Sequence, residues 1–218
     1  MQTLKNLWWR LIRFGFQLLY NELAFTYDWV SWIVSLGVWQ CWQRSALGYL
    51  PKPSSGQILE IAHGTGNLHL DLHEAGYTVT GYDLSTAMGH ITQRKLRKRG
   101  YQAQLAQGMA QQLPFADETF AAVVTTFPTD FIMQATTLRE VHRILQDDGC
   151  FVIVLNGMFT GSGIVQSFLE WLYEITGQRD ENQTNAAPYF EGYGFDVQTT
   201  ETPCRNSIAQ LVILTKTK

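Results

Sequence analysis

The sequence predicts an α/β fold: a seven-stranded, mostly parallel sheet with helices on both faces, an antiparallel C-terminal hairpin and an N-terminal helical cover. From residue 57 onward, short β-branched runs alternate with segments of helical period, which is typical of βαβ units around a parallel sheet. The last two runs alternate apolar and polar residues, as antiparallel edge strands do. Residues 1–50 differ from this pattern, since they hold six of the seven tryptophans.

The first two βα units are predicted between residues 57 and 99. QILEIA (57–62) is the first strand, a helix follows over 67–75, and YTVTGYD (77–83) is the second strand. Ser85 then caps a helix that continues to Arg99, because its hydroxyl can accept a hydrogen bond from a free amide of the first turn.

The same alternation continues to the end of the chain. Pro128 ends the fourth strand because its nitrogen carries no proton for the ladder. Asp147, Asp148 and Gly149 form the turn before the fifth strand. The predicted elements are strands at 101–107, 120–126 and 150–155, helices from 129 or 130 to about 145 and from 163 to 176, and a hairpin of strands 194–201 and 207–216.

Proline and glycine in the PKPSSG stretch (51–56) mark the main boundary of the chain. We therefore expect an aromatic-rich helical cover over residues 1–50 and the main domain over residues 51–218.

Composition excludes several classes of protein. A net charge of −3 and a pI near 5.9 argue against a nucleic-acid binder. The basic run between Arg94 and Arg99 is instead interpreted as a solvated helix end, where cations meet the helix dipole favourably. Cys41, Cys150 and Cys204 are far apart and odd in number, so neither a disulfide framework nor a structural zinc site is predicted. A cytoplasmic location fits this cysteine usage.

Residues 4–19 carry leucines and Trp8 at helical spacing. Arg10 and Arg13 interrupt the apolar run, so we expect no export signal. Two interpretations stay open for this helix: packing on the domain as a lid, or peripheral contact with a membrane surface.

The junction after the first strand reads Glu60-Ile61-Ala62-His63-Gly64-Thr65-Gly66. Small residues at a strand-to-helix turn let a ligand approach the helix N-terminus, although tight packing alone also produces such a junction. Asp83 ends the second strand and can hold both hydroxyls of a ribose; its alternative role is to cap the following helix. The GxGxxG run of dinucleotide sites is missing its third glycine.

Four ordered stretches resemble the class I S-adenosylmethionine-dependent methyltransferases of the small-molecule branch, which have a Rossmann-like fold. They are EIAHGTG (60–66), GYDLSTAM (81–88), QGMAQQLPFADETFAAV (107–123) and LREVHRILQDDG (138–149). The resemblance implies S-adenosylmethionine as cofactor and S-adenosylhomocysteine as product. The cofactor residues that it implies are Glu60, Ala62, His63, Gly64, Gly66, Asp83, Leu84, Met88, Gly108, Met109, Ala110, Thr126 and Phe127.

Two of these positions depart from the family pattern. Ala62 replaces the first glycine, which is tolerable if its φ is negative. Met109 replaces the usual acid that accepts the adenine amino group, so one polar contact is lost and an apolar wall is gained.

The N-terminal segment is also similar to ubiquinone and menaquinone biosynthetic C-methyltransferases, through Tyr27-Asp28, Ser35-Leu36-Gly37 and Trp42. In that family the segment folds over the cofactor and forms a wall of the substrate pocket. The implied pocket residues here are Tyr20, Tyr27, Trp32 and Phe127.

The chemistry expected is methyl transfer from S-adenosylmethionine to a small, apolar or aromatic molecule, which requires positioning and exclusion of water more than a dedicated base. Candidates for proton removal are His63, Tyr27 and His142. His69 and His73 have a zinc-compatible spacing, but no partner motif accompanies them and we expect no metal. Alternatives are a protein of this fold that binds the cofactor or a membrane without turnover, and a nicotinamide-dependent oxidoreductase.

Overall fold

Seven strands form one sheet in the computed structural model, which describes residues 24–160 and 187–217. Their order across the sheet is β3-β2-β1-β4-β5-β7-β6. The strands are β1 (Gln57–Ile61), β2 (Val79–Asp83), β3 (Leu105–Gln107), β4 (Phe120–Thr126), β5 (Leu145–Phe159), β6 (Phe195–Cys204) and β7 (Ser207–Lys216).

In the described part of the N-terminal segment, residues 24–50, two short α-helices precede the sheet, and the other described α-helices lie between strands in sequence. The α-helices are α1 (Tyr27–Val34), α2 (Trp39–Arg44), α3 (Asn67–Glu74), α4 (Thr86–Lys98), α5 (Ala135–Ile144) and α6 (Ala187–Glu191). The predicted helix over 163–176, the segment 4–19 and Tyr20 lie outside the described residues. Within the described ranges, no helix combines the length and the apolar character that a bilayer crossing requires.

The topology confirms the predicted fold class. Strands β1 to β5 pair in parallel, whereas β7 runs antiparallel between β5 and β6. The chain moves outward from β1 to β3 and then returns to place β4 on the other side of β1. The strand order reverses at this point, so a crevice opens at the carboxyl ends of β1 and β4, where open α/β sheets bind ligands.

Some predicted boundaries are wrong. Strand β3 is only three residues long. Strand β5 absorbs the expected turn: Asp148 takes a positive φ of 60° inside the strand, and the pairing with β4 shifts register between Phe120 and Ala122. The helix expected from about residue 130 begins as a 3₁₀ turn, Asp130–Met133, because Gln134 is extended.

The two faces of the sheet pack against separate apolar clusters. Leu59, Phe151 and Leu138 of α5 belong to one cluster, whereas Ile58 and Val152 belong to the other. The alternation of Ile58 and Leu59 between clusters follows from the two-residue period of a strand.

Helix α2 is built into the second of these clusters. Trp42 is 1% exposed there, and its Nε1–H donates a hydrogen bond to Ser207 Oγ at 3.0 Å. A Cβ on Gly157 of β5 would overlap the indole ring, so the missing side chain makes room for Trp42 on the sheet. The second half of the N-terminal segment thus shares the core of the sheet.

A disulfide joins Cys41 of α2 to Cys204 at the end of β6, with the two Cα atoms 6.0 Å apart. The expectation of no disulfide is therefore wrong. The two cysteines are 163 residues apart in sequence, and only the packing of α2 against the C-terminal hairpin brings them together. Cys150 is a free thiol, and burial raises its pKa to about 11.

Candidate functional site

A cleft of about 490 Å³ opens at the carboxyl edge of the sheet, at the reversal point between β1 and β4. It lies where the sequence places the ligand. Its lining comprises Tyr27, Ile61, Ala62, Gly64, Tyr82, Asp83, Leu84, Ser85, Met88, Gly108, Met109, Ala110, Gln111, Thr126, Phe127, Pro128, Thr129 and Phe131.

The glycine turn, residues 62–66, forms the floor of the cleft beside β1. Gly66 has a φ of +75°, and a Cβ there would lie 2.5 Å from Thr92 Cγ2, so only glycine fits without displacing α4. Ala62 has a φ of 55°. The sequence predicts that alanine is tolerable here only with a negative φ, and this condition is not met. Ala62 therefore carries backbone strain of about 1–2 kcal/mol.

The Asp83 carboxylate faces the glycine turn from the end of β2. Its Oδ2 accepts a hydrogen bond from Gly64 N–H at 2.9 Å, and its Oδ1 accepts one from Ser85 N–H at 2.8 Å. Ser85 itself caps α4, since its Oγ accepts from Met88 N–H at 3.3 Å. Asp83 is thus not the helix cap, and each of its oxygens retains a lone pair that can accept a hydroxyl.

Glu60 and His63, two of the expected cofactor residues, lie beneath the glycine turn and outside the cleft lining. Glu60 is buried, with its Oε2 2.7 Å from His69 Nδ1. Burial raises the pKa of Glu60 to about 8 and lowers the pKa of His69 to about 4. At neutral pH the pair therefore carries no net charge, whichever partner holds the shared proton.

His63 packs under the turn as well. Its Nδ1 is 2.9 Å from Gly64 O and 3.3 Å from Thr92 Oγ1. Gly66, the third expected cofactor residue outside the lining, precedes α3. Glu60 lies under the turn, and His63 and Gly66 belong to it, so all three shape the backbone that faces the ligand.

The two histidines of α3 are each engaged in a packing role. His69 pairs with Glu60, and the ring of His73 stacks on Tyr101 with centroids 5.0 Å apart. Burial lowers the pKa of His73 to about 4. Among the residues that the structure describes, no three histidine, cysteine or acidic side chains gather in a way that could hold a metal ion.

The far wall of the cleft follows β3. A Cβ at Gly108 would overlap the Tyr82 hydroxyl, so glycine is required for the chain to pass over this ring. Met109 and Leu84 line the cleft with exposed side chains, at 56% and 66%. Both side chains are apolar; the resemblance places Met109 beside adenine and groups Leu84 with Asp83 at the ribose.

Aromatic rings form the opposite wall. Phe127 packs against Trp39 in a tilted pair with centroids 4.0 Å apart, and Tyr27 meets the Trp39 ring edge-on at 6.5 Å. Phe127 holds a φ of 50°, fixed by its N–H bond to Val154 O at 2.8 Å. Trp32, expected in the pocket, is 61% exposed and outside the lining.

Only one of the three base candidates reaches the cleft. His142 packs against the Phe195 ring at 5.3 Å, and His63 lies below the glycine turn. Tyr27 lines the cleft, together with Asp83. The described part of the lining therefore offers the phenols of Tyr27 and Tyr82 and a carboxylate, and no imidazole; the Tyr82 hydroxyl already donates to Gln112 O.

Sequence reasoning missed three cleft features. Trp39 supports Phe127 from α2, Tyr82 lies under Gly108, and Phe131 joins the lining from the 3₁₀ turn. The proximity of Trp39 to Thr126-Phe127-Pro128 has no signal in local spacing, because the two segments meet only through the fold.

The donor and acceptor set fits a nucleoside with an apolar extension. The Asp83 carboxylate, with free lone pairs, lies beside the glycine turn, whose backbone faces the cleft without large side chains. Apolar side chains line the cleft on both sides of this pair. The absence of a glycine-rich pyrophosphate loop favours a mononucleoside ligand over a dinucleotide.

Comparisons with known proteins agree with this geometry. Residues 58–149 match the family described as Methyltransferase domain. A demethylmenaquinone methyltransferase of Chlorobaculum parvum is 33% identical over 159 residues, which cover 70% of this chain and 64% of that protein. A ubiquinone/menaquinone biosynthesis C-methyltransferase of Desulfotalea psychrophila is 30% identical over 194 residues, which cover 86% of this chain and 78% of that protein.

A solved structure shares the fold. Phosphoethanolamine N-methyltransferase 2 of Haemonchus contortus, in complex with S-adenosyl-L-methionine, aligns with a TM-score of 0.60 over 81% of this chain and 52% of that chain, at 15% identity. That identity shows the fold alone. The chain spans 64% of the length of the Chlorobaculum relative. These matches overturn the oxidoreductase alternative and do not favour a protein without turnover. They show that the chain belongs to the class I S-adenosylmethionine-dependent methyltransferases.

Proposed function

We propose that this chain transfers a methyl group from S-adenosylmethionine to a small aromatic acceptor of the quinol class. The observation that carries the proposal is the Asp83 carboxylate, placed between the glycine turn and a cleft of about 490 Å³. S-adenosylmethionine supplies a methyl group on a sulfonium, and the sulfur keeps the electron pair of the bond that breaks.

Asp83 is proposed to hold the ribose, with its remaining lone pairs accepting both hydroxyls. Ala62 and Gly64 then contact the methionyl part, and Gly108, Met109 and Ala110 flank the adenine. Leu84, Met88 and Thr126 complete the cofactor lining. Glu60, His63 and Gly66 are proposed to act through the shape of the glycine turn, since Glu60 packs beneath it and His63 and Gly66 are part of it.

The acceptor side is proposed to be the aromatic wall. Phe127 and Tyr27 line the cleft, and Phe131 and Pro128 add apolar surface. A planar ring can stack against such a wall and exclude water from the transfer. The names of the Chlorobaculum and Desulfotalea relatives, which refer to quinones and to C-methylation, support a quinol as acceptor and carbon as the methylated atom.

Proton removal is proposed to need no imidazole. A quinol ring is activated by its own hydroxyls: its carbon forms the bond to the methyl group as the S–CH3 bond breaks, and the hydrogen of that carbon then leaves as a proton to solvent. Tyr27, which lines the cleft, can exchange a proton with one of the hydroxyls. The N-terminal segment, residues 1–50, is proposed as the cover of the cleft and residues 51–218 as the cofactor-binding domain.

Membrane contact is a further part of the proposal. Residues 4–19 would lie on a membrane surface and deliver a lipophilic acceptor, and the exposure of Trp29 and Ile33 on α1, at 68% and 55%, supports contact nearby. A cytoplasmic location is also proposed, although the Cys41–Cys204 disulfide weighs against a reducing compartment. Full-length protein in which Leu7 and Leu11 are changed to glutamate should lose partitioning into anionic liposomes; unchanged partitioning contradicts the contact.

The test of the function is methyl transfer from S-[methyl-³H]adenosylmethionine to a panel of quinols, simple phenols and fatty acids. We expect label in quinols only, and mass spectrometry should place it on a ring carbon. Label in phenols or fatty acids overturns the acceptor class, and no label with any acceptor overturns the activity.

An Asp83→Ala variant tests the cofactor site separately. Loss of a carboxylate that accepts two hydroxyls should weaken S-adenosylhomocysteine binding by about 1.5–3 kcal/mol, or at least tenfold in Kd. Thr80→Ala, on the same strand β2, is the control and should bind normally, since its hydroxyl contacts the Gln104 side chain and neither residue lines the cleft.

A further inference from the structure

The Asp28 side chain lies where three elements meet. Asp28 is in the first turn of α1. Its Oδ1 accepts hydrogen bonds from Thr65 Oγ1–H at 2.5 Å and from Asn67 Nδ2–H at 2.9 Å, and Lys95 Nζ lies 3.2 Å from its Oδ2. One carboxylate therefore binds side chains from the glycine turn, from α3 and from α4.

These partners form a closed cluster around the glycine turn. Thr65 belongs to the turn, Asn67 is the first residue of α3, and Lys95 also donates a hydrogen bond to Asn67 Oδ1. A negative charge at the N-terminus of a helix is favourable, because the free amides there carry partial positive charge. Asp28 supplies this charge to α3 from outside the βαβ unit.

Fixing Asp28 also fixes Tyr27 over the cleft. Adjacent Cα atoms are about 3.8 Å apart. While Asp28 is held against the glycine turn, Tyr27 therefore cannot move far from the cleft that it lines. The Trp39 ring meets Tyr27 on its other side. The cover and the turn that approaches the ligand are thus joined at one residue.

We propose that Asp28 is a positioning residue that ties α1 to the glycine turn and thereby slows release of the cofactor. The proposal rests on the proposed function, since it requires S-adenosylmethionine or its product in the cleft. Release requires the Tyr27 end of α1 to move away, and the Asp28 cluster opposes that movement.

The test is the dissociation rate of S-adenosylhomocysteine from full-length protein, measured by stopped-flow tryptophan fluorescence after a chase with excess S-adenosylmethionine. Asp28→Ala loses all three contacts and should release the ligand about tenfold faster. Asp28→Asn keeps an oxygen for Thr65 and Asn67 but loses the charge that faces Lys95, so we expect about threefold. Lys95→Met removes the same ion pair and also the hydrogen bond to Asn67 Oδ1, so it should release the ligand at least threefold faster; the double variant with Asp28→Asn should be little faster than Lys95→Met alone.

Asp71→Asn is the matched control. Asp71 also lies on α3 and also binds the cover, through Gln40 Nε2 at 3.4 Å and Arg44 Nη1 at 3.6 Å, but it contacts α2 and not the glycine turn. Its release rate should stay within about twofold of the wild type. Thermal unfolding without ligand reports general loosening of the cover, which a purely structural role would produce in both variants.

Each outcome decides the proposal. Faster release in the Asp28 and Lys95 variants with an unchanged rate in Asp71→Asn supports it. A rate in Asp28→Asn and Asp28→Ala within twofold of the wild type overturns it, as does an equal increase in Asp71→Asn. Absence of any S-adenosylhomocysteine binding by the wild type overturns the proposed function itself. If Asp28→Ala does not fold, Asp28→Asn and Lys95→Met carry the same comparison.

Discussion

Ala62→Gly is expected to stabilise the protein, although glycine usually destabilises a folded chain. Ala62 holds a φ of 55°, a conformation that costs a residue with a Cβ about 1–2 kcal/mol. Glycine removes that strain but gains freedom in the unfolded chain, which costs roughly 0.5–1 kcal/mol. The net gain lies between about 0 and 1.5 kcal/mol, with a midpoint of about 0.75, which corresponds to a Tm higher by roughly 2–3 °C for a chain of this length.

Urea and thermal unfolding of the two proteins measure the difference, and Ala75→Gly is the control. Ala75 is exposed at the end of α3 with a φ of −80°, so glycine there relieves no strain and should lower stability by about 0.5–1 kcal/mol. Equal destabilisation by both substitutions would refute the reasoning. It would mean that Ala62 is not held in the left-handed region.

Three further predictions concern the turn, the cover and the aromatic wall. The folded pKa of Glu60 is about 8 against an ordinary 4.5, so ionising this carboxyl costs stability as pH rises from 5 to 8, whereas the lowered pKa values of His69 and His73 act in the opposite direction up to about pH 6.5. In urea unfolding the wild type should therefore lose stability relative to Glu60→Gln between about pH 5 and 8, and parallel pH curves would contradict a proton on Glu60. Under denaturing, non-reducing conditions a thiol assay should detect one free thiol, that of Cys150, and detection of three thiols would contradict the disulfide. Cys41→Ser should lower the free energy of unfolding by about 2–4 kcal/mol. Trp39→Ala removes the ring that supports Phe127, so the KM for the acceptor should rise while the affinity for S-adenosylhomocysteine changes less than twofold. If S-adenosylhomocysteine affinity falls by the same factor as the KM rises, Trp39 belongs to the cofactor site.

The succession of strands and helices along the chain and the position of Asp83 could be predicted from local patterns. Alternating β-branched and helical segments fix a parallel sheet, and a carboxylate at the end of the second strand must then lie at the carboxyl edge. Ser85 was predictable as the cap of α4, because a capping hydroxyl acts on amides two or three residues away. Such features depend on neighbours in sequence.

Features that depend on distant segments could not be predicted in this way. The Cys41–Cys204 disulfide and the Trp39–Phe127 pair both require α2 to pack on the sheet, which no spacing in the sequence reveals. Glu60 begins the family motif, but its burial against His69 depends on the packing of α3 over β1, which the motif does not reveal. The positive φ of Ala62 likewise follows from the path of the turn and not from the residue type.

A crystal structure of the protein with S-adenosylhomocysteine tests most directly whether this cleft is the cofactor site. Both ribose hydroxyls should lie within hydrogen-bonding distance of the Asp83 carboxylate, with the adenine between Leu84 and Met109 and the sulfur facing Phe127. Ligand bound elsewhere, or a ribose without contact to Asp83, would contradict the assignment.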